Sequence, residues 1–222
     1  MTTDTTSDRK CYGQYCTVTT ALDLAGDRWT LLILRELLGG PARFEELVDG
    51  LQGIARNLLS GRLRRLEADG LVQRVDGHGA SLYRLTPLGA GSRTALEELG
   101  FWGAQLPRAG PAVHDRSVRA IAMAVQAILS RAGDALPTES HLIELDVDGE
   151  LIEVVLGPEP TAIVRIPEAP RIRIGATRSV MSNVLVGQPF ADADLDHLAG
   201  DASLLPVFTE AMRAPFRRLA AG

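Results

Sequence analysis

Four segments of helical hydrophobic spacing follow one another in the first 70 residues, and a glycine lies at or just past the end of each. The segments, each with its glycine, are Val18–Ala25 with Gly26, Trp29–Leu38 with Gly39, Phe44–Val48 with Gly50, and Ala55–Asp69 with Gly70. Glycine is favoured there because it adopts the left-handed conformation that often follows the last helical turn. The pattern predicts four helices, and the second is apolar enough to be mostly buried.

A hairpin and a closing helix are predicted after these four helices. Leu71–Val75 and Leu82–Leu85 are predicted strands, and Asp76–Gly79 between them has the composition of a turn. Thr86 and Pro87 then supply an N-cap and a proline at the first helical position. The closing helix is predicted to carry one apolar stripe, made of Leu88, Ala95, Leu96, Leu99, Trp102 and Leu106. This order of elements is typical of a winged helix-turn-helix.

The composition excludes several classes of protein. The chain has 222 residues, of which 45% are hydrophobic and 23% charged, with two cysteines. These values fit an ordinary globular protein and exclude a disulfide scaffold or a disordered chain. No apolar run approaches the roughly 20 residues that cross a bilayer, and residues 1–10 lack the apolar core of a signal peptide. We therefore expect a cytoplasmic protein without a membrane partner, with residues 1–10 as a flexible arm.

The Ala55–Asp69 helix has one apolar side and one short, polar and basic side. At 100° per residue, Leu59, Leu63 and Leu66 face the core, and the opposite side carries arginine, asparagine and serine. Such side chains can contact guanine and adenine edges in a major groove while others bind phosphates. A solvated helix face is the alternative. The position of this helix between a helix and a hairpin favours a recognition helix.

A series of short motifs runs through residues 11–106. The motifs are Tyr15-Cys16, Ala21–Leu24, Arg28–Leu37, Arg43–Leu47, Gly53–Ala55, Leu58–Leu63, Leu66–Val72 and Tyr83–Gly89. In this order they resemble the HxlR family of bacterial winged-helix transcriptional regulators. The resemblance implies a homodimer joined by its first and last helices. It also implies binding to a near-palindromic operator on double-stranded DNA, with repression as the expected outcome.

The resemblance also assigns DNA contacts to residues of this chain. It implies that Arg56–Arg65 enters the major groove, that Asp76–Ser81 forms the wing, and that Arg43 touches the DNA backbone. The predicted DNA-binding residues are Arg43, Arg56, Asn57, Ser60, Gly61, Arg62, Arg64, Arg65 and His78. Two positions depart from the family pattern. Ala55-Arg56 stands where many members have Ser-Pro, and the wing has two glycines where a proline is often found.

Cys16 matches the N-terminal cysteine with which some members of the family sense oxidants or electrophiles. This role requires exposure and a lowered thiol pKa, for which Lys10 or Arg28 could supply positive charge. The alternative is a small buried hydrophobe beside the dimer helices. Cys16 is therefore a candidate redox sensor.

The second half has a different pattern of elements. Residues 107–114 contain Pro107, Gly110 and Pro111 and are predicted to be a linker before a domain of residues 115–222. That domain is predicted to have an amphipathic helix at Val118–Leu129 and a hairpin around Asp148-Gly149. Two more strands and two helices follow, at Thr161–Ile166, Arg171–Ile174, Arg178–Val186 and Ser203–Arg213. The predicted fold class is therefore α+β, with a winged helix-turn-helix domain before an antiparallel sheet with covering helices.

The end of the second half carries a further resemblance. Three short segments resemble the end of sterol-carrier-protein-like domains: Val184–Gly187, Leu198–Asp201 and Leu204–Phe208. Over residues 115–216 the resemblance implies a twisted sheet covered by helices around an apolar tunnel, and an apolar small-molecule effector. The predicted ligand-binding residues are Val180, Met181, Val184, Phe190, Val207, Phe208 and Met212. The alternative, that these side chains fill a core without a cavity, is equally open.

No catalytic or metal-binding constellation is found in the sequence. The four histidines are scattered, and the Asp192, Asp194, Asp196 alternation lacks the glycine and distal glutamate of a calcium loop. No phosphate-binding, dinucleotide or nucleophile-elbow motif is present. We therefore expect a regulator that is not an enzyme and needs no cofactor or metal. The alternative function is an apolar-ligand carrier whose winged helix serves mainly for dimerisation.

Overall fold

A computed structural model of the chain describes residues 11–77, 80–104, 106, 117–165, 170–184 and 192–220. The predicted arm, residues 1–10, and the predicted linker, residues 107–114, lie outside these ranges. Within the described ranges, no helix combines the length and the apolar character needed to cross a membrane.

The first half contains six helices and a two-stranded antiparallel hairpin within the described ranges. Their bounds are α1 Thr17–Ala25, α2 Thr30–Leu38, α3 Phe44–Gly50, α4 Arg56–Ala68, β1 Val72–Gly77, β2 Ala80–Leu85, α5 Pro87–Ala90 and α6 Arg93–Ala104. The four predicted helices and the predicted hairpin are confirmed to within two residues. α2 is mostly buried, as expected, and its residues Ile33, Leu34 and Leu37 pack with Leu59 and Leu63 of α4 in the core.

The predicted single closing helix is wrong, because the chain forms α5 and α6 with a break between them. The predicted cap is confirmed, since the Thr86 hydroxyl accepts a hydrogen bond from the Gly89 amide at 3.1 Å. Gly91 and Ser92 interrupt the helix after one turn, and both are weak helix formers. Leu88 on α5 is consequently exposed, whereas Leu96 on α6 is buried.

The second half is built around a five-stranded sheet with helices. Its elements are α7 Val118–Leu129, β3 His141–Val147, β4 Glu150–Leu156, β5 Thr161–Val164, β6 Ile172–Ala176, α8 Arg178–Val184, β7 Asp196–Gly200 and α9 Leu204–Ala220, with two short 3-10 helices. The predicted hairpin is confirmed. Asp148 and Gly149 have φ of 51° and 86°, as expected for a turn that needs two left-handed residues.

The prediction of an antiparallel four-stranded sheet is wrong in two respects. The strand order is β5-β4-β3-β6-β7, and β6 lies parallel to β3. The chain therefore crosses back to the centre of the sheet after β5 instead of continuing the meander. β7 is a fifth strand at the edge of the sheet, and its five residues are all exposed. A strand is recognised in a sequence by alternating buried and exposed side chains, and β7 lacks this alternation.

The predicted end of the last helix at Arg213 is also wrong. α9 continues to Ala220 and contains Pro215 in its interior. Phe208, Ala211 and Met212 of α9 are buried in the second core. Phe216, beyond the predicted end, packs against the same core and stacks on Phe101 of α6. This packing accounts for a helix that continues past a residue that usually ends one.

Helix α7 contributes to the cores of both halves. Ile121, Ala122 and Val125 pack with the sheet in the second core, whereas Met123 belongs to the core of the first half. α7 also approaches the end of α2 closely at Gly39. A Cβ atom at Gly39 would lie 2.6 to 2.9 Å from Arg119 atoms. Glycine is therefore required for this contact, and the two halves pack directly on each other.

Candidate nucleic-acid interface

Helix α4 presents a polar face on the side opposite its buried leucines. Leu59, Leu63 and Leu66 are in the core, while Asn57 and Arg64 are exposed and Ser60 is half-buried. The Arg64 guanidinium donates to the Ser60 hydroxyl at 3.2 Å, so the two side chains lie together one turn apart. A Cβ atom at Gly61 would be 4.0 Å from its nearest neighbour. The predicted face of Asn57, Ser60, Gly61 and Arg64 is therefore open and polar.

Arg56, the first residue of α4, is held by a carboxylate of α3. Its guanidinium forms a two-pronged ion pair with Glu45, with Nη1 donating to Oε2 at 2.6 Å, and lies 5.1 Å from the centre of the Phe44 ring. Hydrogen bonding to Arg56 lowers the pKa of Glu45, and the same bond raises the pKa of Arg56. Arg56 must therefore exchange Glu45 for DNA if it is to contact a base or phosphate.

Arg62 lies on a different side of α4 from Arg64. Its guanidinium is 3.3 Å from Asp27, and Asp27 accepts hydrogen bonds from the Trp29 and Thr30 amides at the start of α2. The structure therefore does not bring Arg62 to the open face with Arg64, and Arg62 links α4 to α2 instead. Arg65 is exposed in the last turn of α4.

The hairpin stands beside α3 and provides further arginines. Ala42 and Tyr83 exchange backbone hydrogen bonds of 2.8 and 2.9 Å, which join β2 to the chain just before α3. Arg43 is exposed at this junction. Arg74 and Arg84 are exposed on the hairpin and were not among the predicted contacts, although their place in strands beside the turn could have identified them. His78 lies outside the described residues.

Large apolar side chains are exposed on α1 and α6. Val18 and Leu22 of α1 and Leu99 and Trp102 of α6 are exposed, and the Trp102 side chain retains 59% of its accessible surface. Tyr12 and Tyr15, just before α1, are exposed as well. Exposed apolar side chains mark an interaction surface where they form one contiguous patch.

Cys16 is the N-cap residue of α1 and is exposed. The backbone amides of Thr19 and Val18, in the first turn of α1, lower the pKa of its thiol. The amides at the helix start, and not a cation, therefore lower the pKa of Cys16. Of the two cations named as candidates, Lys10 lies outside the described residues. The other, the Arg28 guanidinium, lies 5.2 Å from the Trp29 ring centre. Cys16 is exposed in one copy of the chain, and burial beside the dimer helices stays the alternative prediction. Cys11 and Cys16 line one open surface pocket of about 570 Å³.

The predicted ligand-binding residues of the second half come together in its core. Met181, Val184, Phe208 and Met212 are buried among the sheet and helices, and Val180 and Val207 pack against them. Phe190 lies outside the described residues. A crevice of about 320 Å³ lies elsewhere, between the two halves, and has polar walls that include Glu46, Ser117, Arg119 and Arg178.

Within the described ranges, no group of three or more histidine, cysteine, aspartate or glutamate side chains is placed to hold a metal ion. The perturbed carboxylates have structural causes: Asp201 has its pKa lowered by Ser203, and burial raises the pKa of Glu97.

Comparisons with known proteins concern the first half of the chain. A family model described as HxlR-like helix-turn-helix matches residues 24–109. An uncharacterized HTH-type transcriptional regulator of Mycobacterium tuberculosis is 47% identical over 92 residues, which are 40% of this chain and 58% of that protein. The HTH-type transcriptional regulator YodB of Bacillus subtilis is 31% identical over 96 residues, which are 42% of this chain and 86% of YodB.

This chain therefore spans 58% of the length of the mycobacterial relative. Among solved structures, quinone-bound YodB from B. subtilis is 31% identical, with a TM-score of 0.36. The match covers 40% of this chain and 97% of that one.

Proposed function

The chain belongs to the HxlR-like helix-turn-helix family of transcriptional regulators, and on that premise we propose that it binds operator DNA as a homodimer. In the proposed complex the open face of α4 enters the major groove, and the β1–β2 hairpin lies along the adjacent backbone. The proposed location is the cytoplasm, and the proposed outcome is repression.

The observation that carries this proposal is the open face of α4. Asn57 and Arg64 are exposed there, and Gly61 leaves space for a groove wall to approach. Asparagine and arginine are suited to adenine and guanine edges, respectively. Arg43, Arg65 and Arg74 are exposed in the same half of the chain and carry positive charge suited to phosphates. A face of this composition on a helix that follows α3 and precedes a hairpin is an arrangement suited to DNA.

The exposed apolar side chains of α1 and α6 support a homodimer. Trp102 and Leu99 on α6 and Val18 and Leu22 on α1 are all exposed, and in the proposed dimer a second copy covers them. A twofold axis through this surface would present two copies of α4 to successive major grooves about 34 Å apart. A near-palindromic operator would follow from that symmetry.

Two modes of regulation are proposed for the DNA complex. The first is reaction of an oxidant or electrophile at Cys16, which is exposed and has a lowered pKa. YodB, a relative, has been solved in a quinone-bound form. The second is an apolar effector in the second half, which the resemblance to sterol-carrier-like domains implies. Phe208 and Met212 are buried in the second core, and a filled core without a tunnel stays the alternative.

A mobility-shift experiment tests the proposed function. The DNA is the region upstream of the gene that encodes this chain, and the control is a shuffled fragment of equal length and composition. We expect saturable binding that prefers the native fragment and weakens as salt rises, because phosphate contacts release counterions. Equal and weak binding to both fragments at low salt would contradict operator recognition. It would favour the alternative function, in which the second half carries an apolar ligand.

A further inference from the structure

The end of helix α2 is completed by groups from the second half of the chain. The last carbonyl groups of a helix have no partner within it and must be satisfied elsewhere. Gly39 is the C-cap residue of α2, and Gly40 follows it. The Gly39 carbonyl accepts a hydrogen bond from the Val164 amide at 2.8 Å, and the Gly40 carbonyl accepts one from Arg119 Nη1 at 2.8 Å. A cation is also favoured at this end of a helix by the helix dipole.

Arg119 connects this helix end to α3. Its side chain is only 8% exposed, and its Nη2 donates to Glu46 Oε2 at 3.0 Å. The same Glu46 oxygen accepts a hydrogen bond from the Arg43 amide at 2.7 Å, which caps the start of α3. One guanidinium therefore binds the end of α2 with one nitrogen and the cap of α3 with another.

A second buried contact lies beside the first. Glu36 on α2 is fully buried, and its Oε2 accepts a hydrogen bond from the Ser117 hydroxyl at 2.5 Å. Arg35 pairs with the other Glu36 oxygen at 2.6 Å. The Ser117 hydroxyl also caps α7 by accepting from the Arg119 amide at 3.2 Å. Burying a carboxylate is costly unless it is fully bonded, so Glu36 depends on the second half for one of its two partners.

We propose that Arg119 is a positioning residue for DNA recognition, through which the second half of the chain holds α3 and α4 in their binding arrangement. The inference rests on the proposed DNA-binding function. α3 precedes α4 by five residues, and Leu47 of α3 is buried in the same core as Leu59 in the first turn of α4. A shift of α3 would therefore move the first turn of α4, which is the part of a recognition helix that contacts bases.

The role of Arg119 differs from that of a DNA-contacting arginine in one measurable respect. Arg119 is buried, and its guanidinium is hydrogen-bonded to the Gly40 carbonyl and to Glu46. It therefore touches no phosphate, and its substitution does not change the number of counterions released when DNA binds. Substitution is expected to weaken operator binding without changing the slope of log affinity against log salt concentration. Loss of an exposed arginine that binds a phosphate reduces that slope.

The test uses the full chain with Arg119→Ala and Glu46→Gln. The glutamine keeps an oxygen to cap the Arg43 amide but removes the charge that pairs with Arg119, and Glu46 is half-exposed, so this variant is expected to fold. Arg171→Ala is the matched control, because it removes a guanidinium paired with Asp201 within the second half. Fluorescence anisotropy measures operator affinity at several salt concentrations, and hydrogen exchange measures the amides of α3.

Both variants are expected to bind the operator about three- to thirty-fold more weakly, with an unchanged salt slope. They are also expected to exchange the amides of Leu47 and Val48 faster than the wild type, whereas Arg171→Ala alters neither property. Unchanged exchange in both variants would overturn the proposal, as would faster exchange with unchanged operator affinity. If the wild type shows no preference for any operator, the proposed function fails, and the exchange rates alone decide whether Arg119 holds α3.

Discussion

At the scale of single residues, the arginines of α4 differ in whether a carboxylate of the protein already holds them. Arg64 and Arg65 are exposed. Arg56 is paired with Glu45, and Arg62 is paired with Asp27. A paired guanidinium has to exchange a carboxylate for a phosphate or a base, so its gain on binding DNA is smaller. Glu45 is therefore expected to limit binding to DNA that lacks the operator sequence.

Replacing Glu45 by glutamine tests this expectation. The Glu45→Gln variant should bind non-operator DNA more tightly. The slope of log affinity against log salt should steepen by about 0.9, the value for one additional phosphate contact. Anisotropy titrations at four salt concentrations measure both quantities. Glu98→Gln is the control, because it removes an exposed carboxylate paired with Arg131, away from α4. An unchanged slope in Glu45→Gln would show that Arg56 does not reach DNA.

Cys16 provides a second prediction at this scale. Its pKa is lowered by the amides at the start of α1, so the reactive thiolate should form at a lower pH in the folded protein than in the unfolded chain. Alkylation rates by iodoacetamide, followed by mass spectrometry of the Cys16 peptide from pH 6 to 10, measure this in buffer and in urea. The folded protein should reach half of its maximal rate at the lower pH. Superimposed profiles would remove the basis for redox sensing at Cys16.

At the scale of elements, local sequence patterns predicted most of the helices and hairpins, and long-range pairing was not predictable. The Thr86-Pro87 cap and the Asp148-Gly149 turn are local signals, and both are confirmed. The four helix-ending glycines mark the helix ends, but of these four only Gly70 is left-handed, with φ of 72°, whereas Gly26 and Gly39 have φ of −74° and −73° and Gly50 lies within α3. The parallel pairing of β6 with β3 depends on where the chain returns after β5, which no local pattern records. The ion pair of Arg62 with Asp27 joins residues 35 positions apart, so the angular position of Arg62 on its helix could not reveal it.

The exposed face of α1 and α6 leads to a prediction about assembly. Trp102→Glu places a charge on the surface proposed to bury a second copy, and should convert a dimer into a monomer. Operator affinity should fall with it, because two linked α4 helices bind more tightly than one. Sedimentation velocity measures the assembly state. Leu198→Glu, a similarly exposed position on β7, should remain dimeric. A Trp102→Glu variant that stays dimeric would place the dimer interface elsewhere.

At the scale of the whole molecule, the two halves are expected to unfold as one unit. α7 contributes Met123 to the first core and Ile121 to the second, and Arg119 and Ser117 bond to α2 and α3. The division into domains of residues 11–106 and 115–222 stays a prediction. These contacts across its boundary come from α7 and its N-cap, and the hydrophobic spacing predicts α7 as one helix of the second domain. A substitution that destabilises the second core should therefore also lower the stability of the first core.

Phe208→Ala tests this cooperativity. The side chain is 1% exposed in the second core, and its removal should lower the free energy of unfolding by about 3–5 kcal/mol. Both tryptophans, Trp29 and Trp102, belong to the first half, so their fluorescence reports on that half in a urea titration. We expect the fluorescence midpoint to fall together with the circular dichroism midpoint. Leu198→Ala, at an exposed position, serves as the control. A fluorescence midpoint that does not move would mean that the halves unfold independently.

The central claim, that the open face of α4 recognises an operator, is tested most directly with Arg64→Ala. Fluorescence anisotropy would compare the wild type, Arg64→Ala and the control Arg171→Ala on the native upstream fragment and on its shuffled counterpart. We expect Arg64→Ala to lose about 1–3 kcal/mol of binding free energy on the native fragment and much less on the shuffled one, and Arg171→Ala to resemble the wild type. An Arg64→Ala protein that binds the native fragment as tightly as the wild type would contradict the central claim.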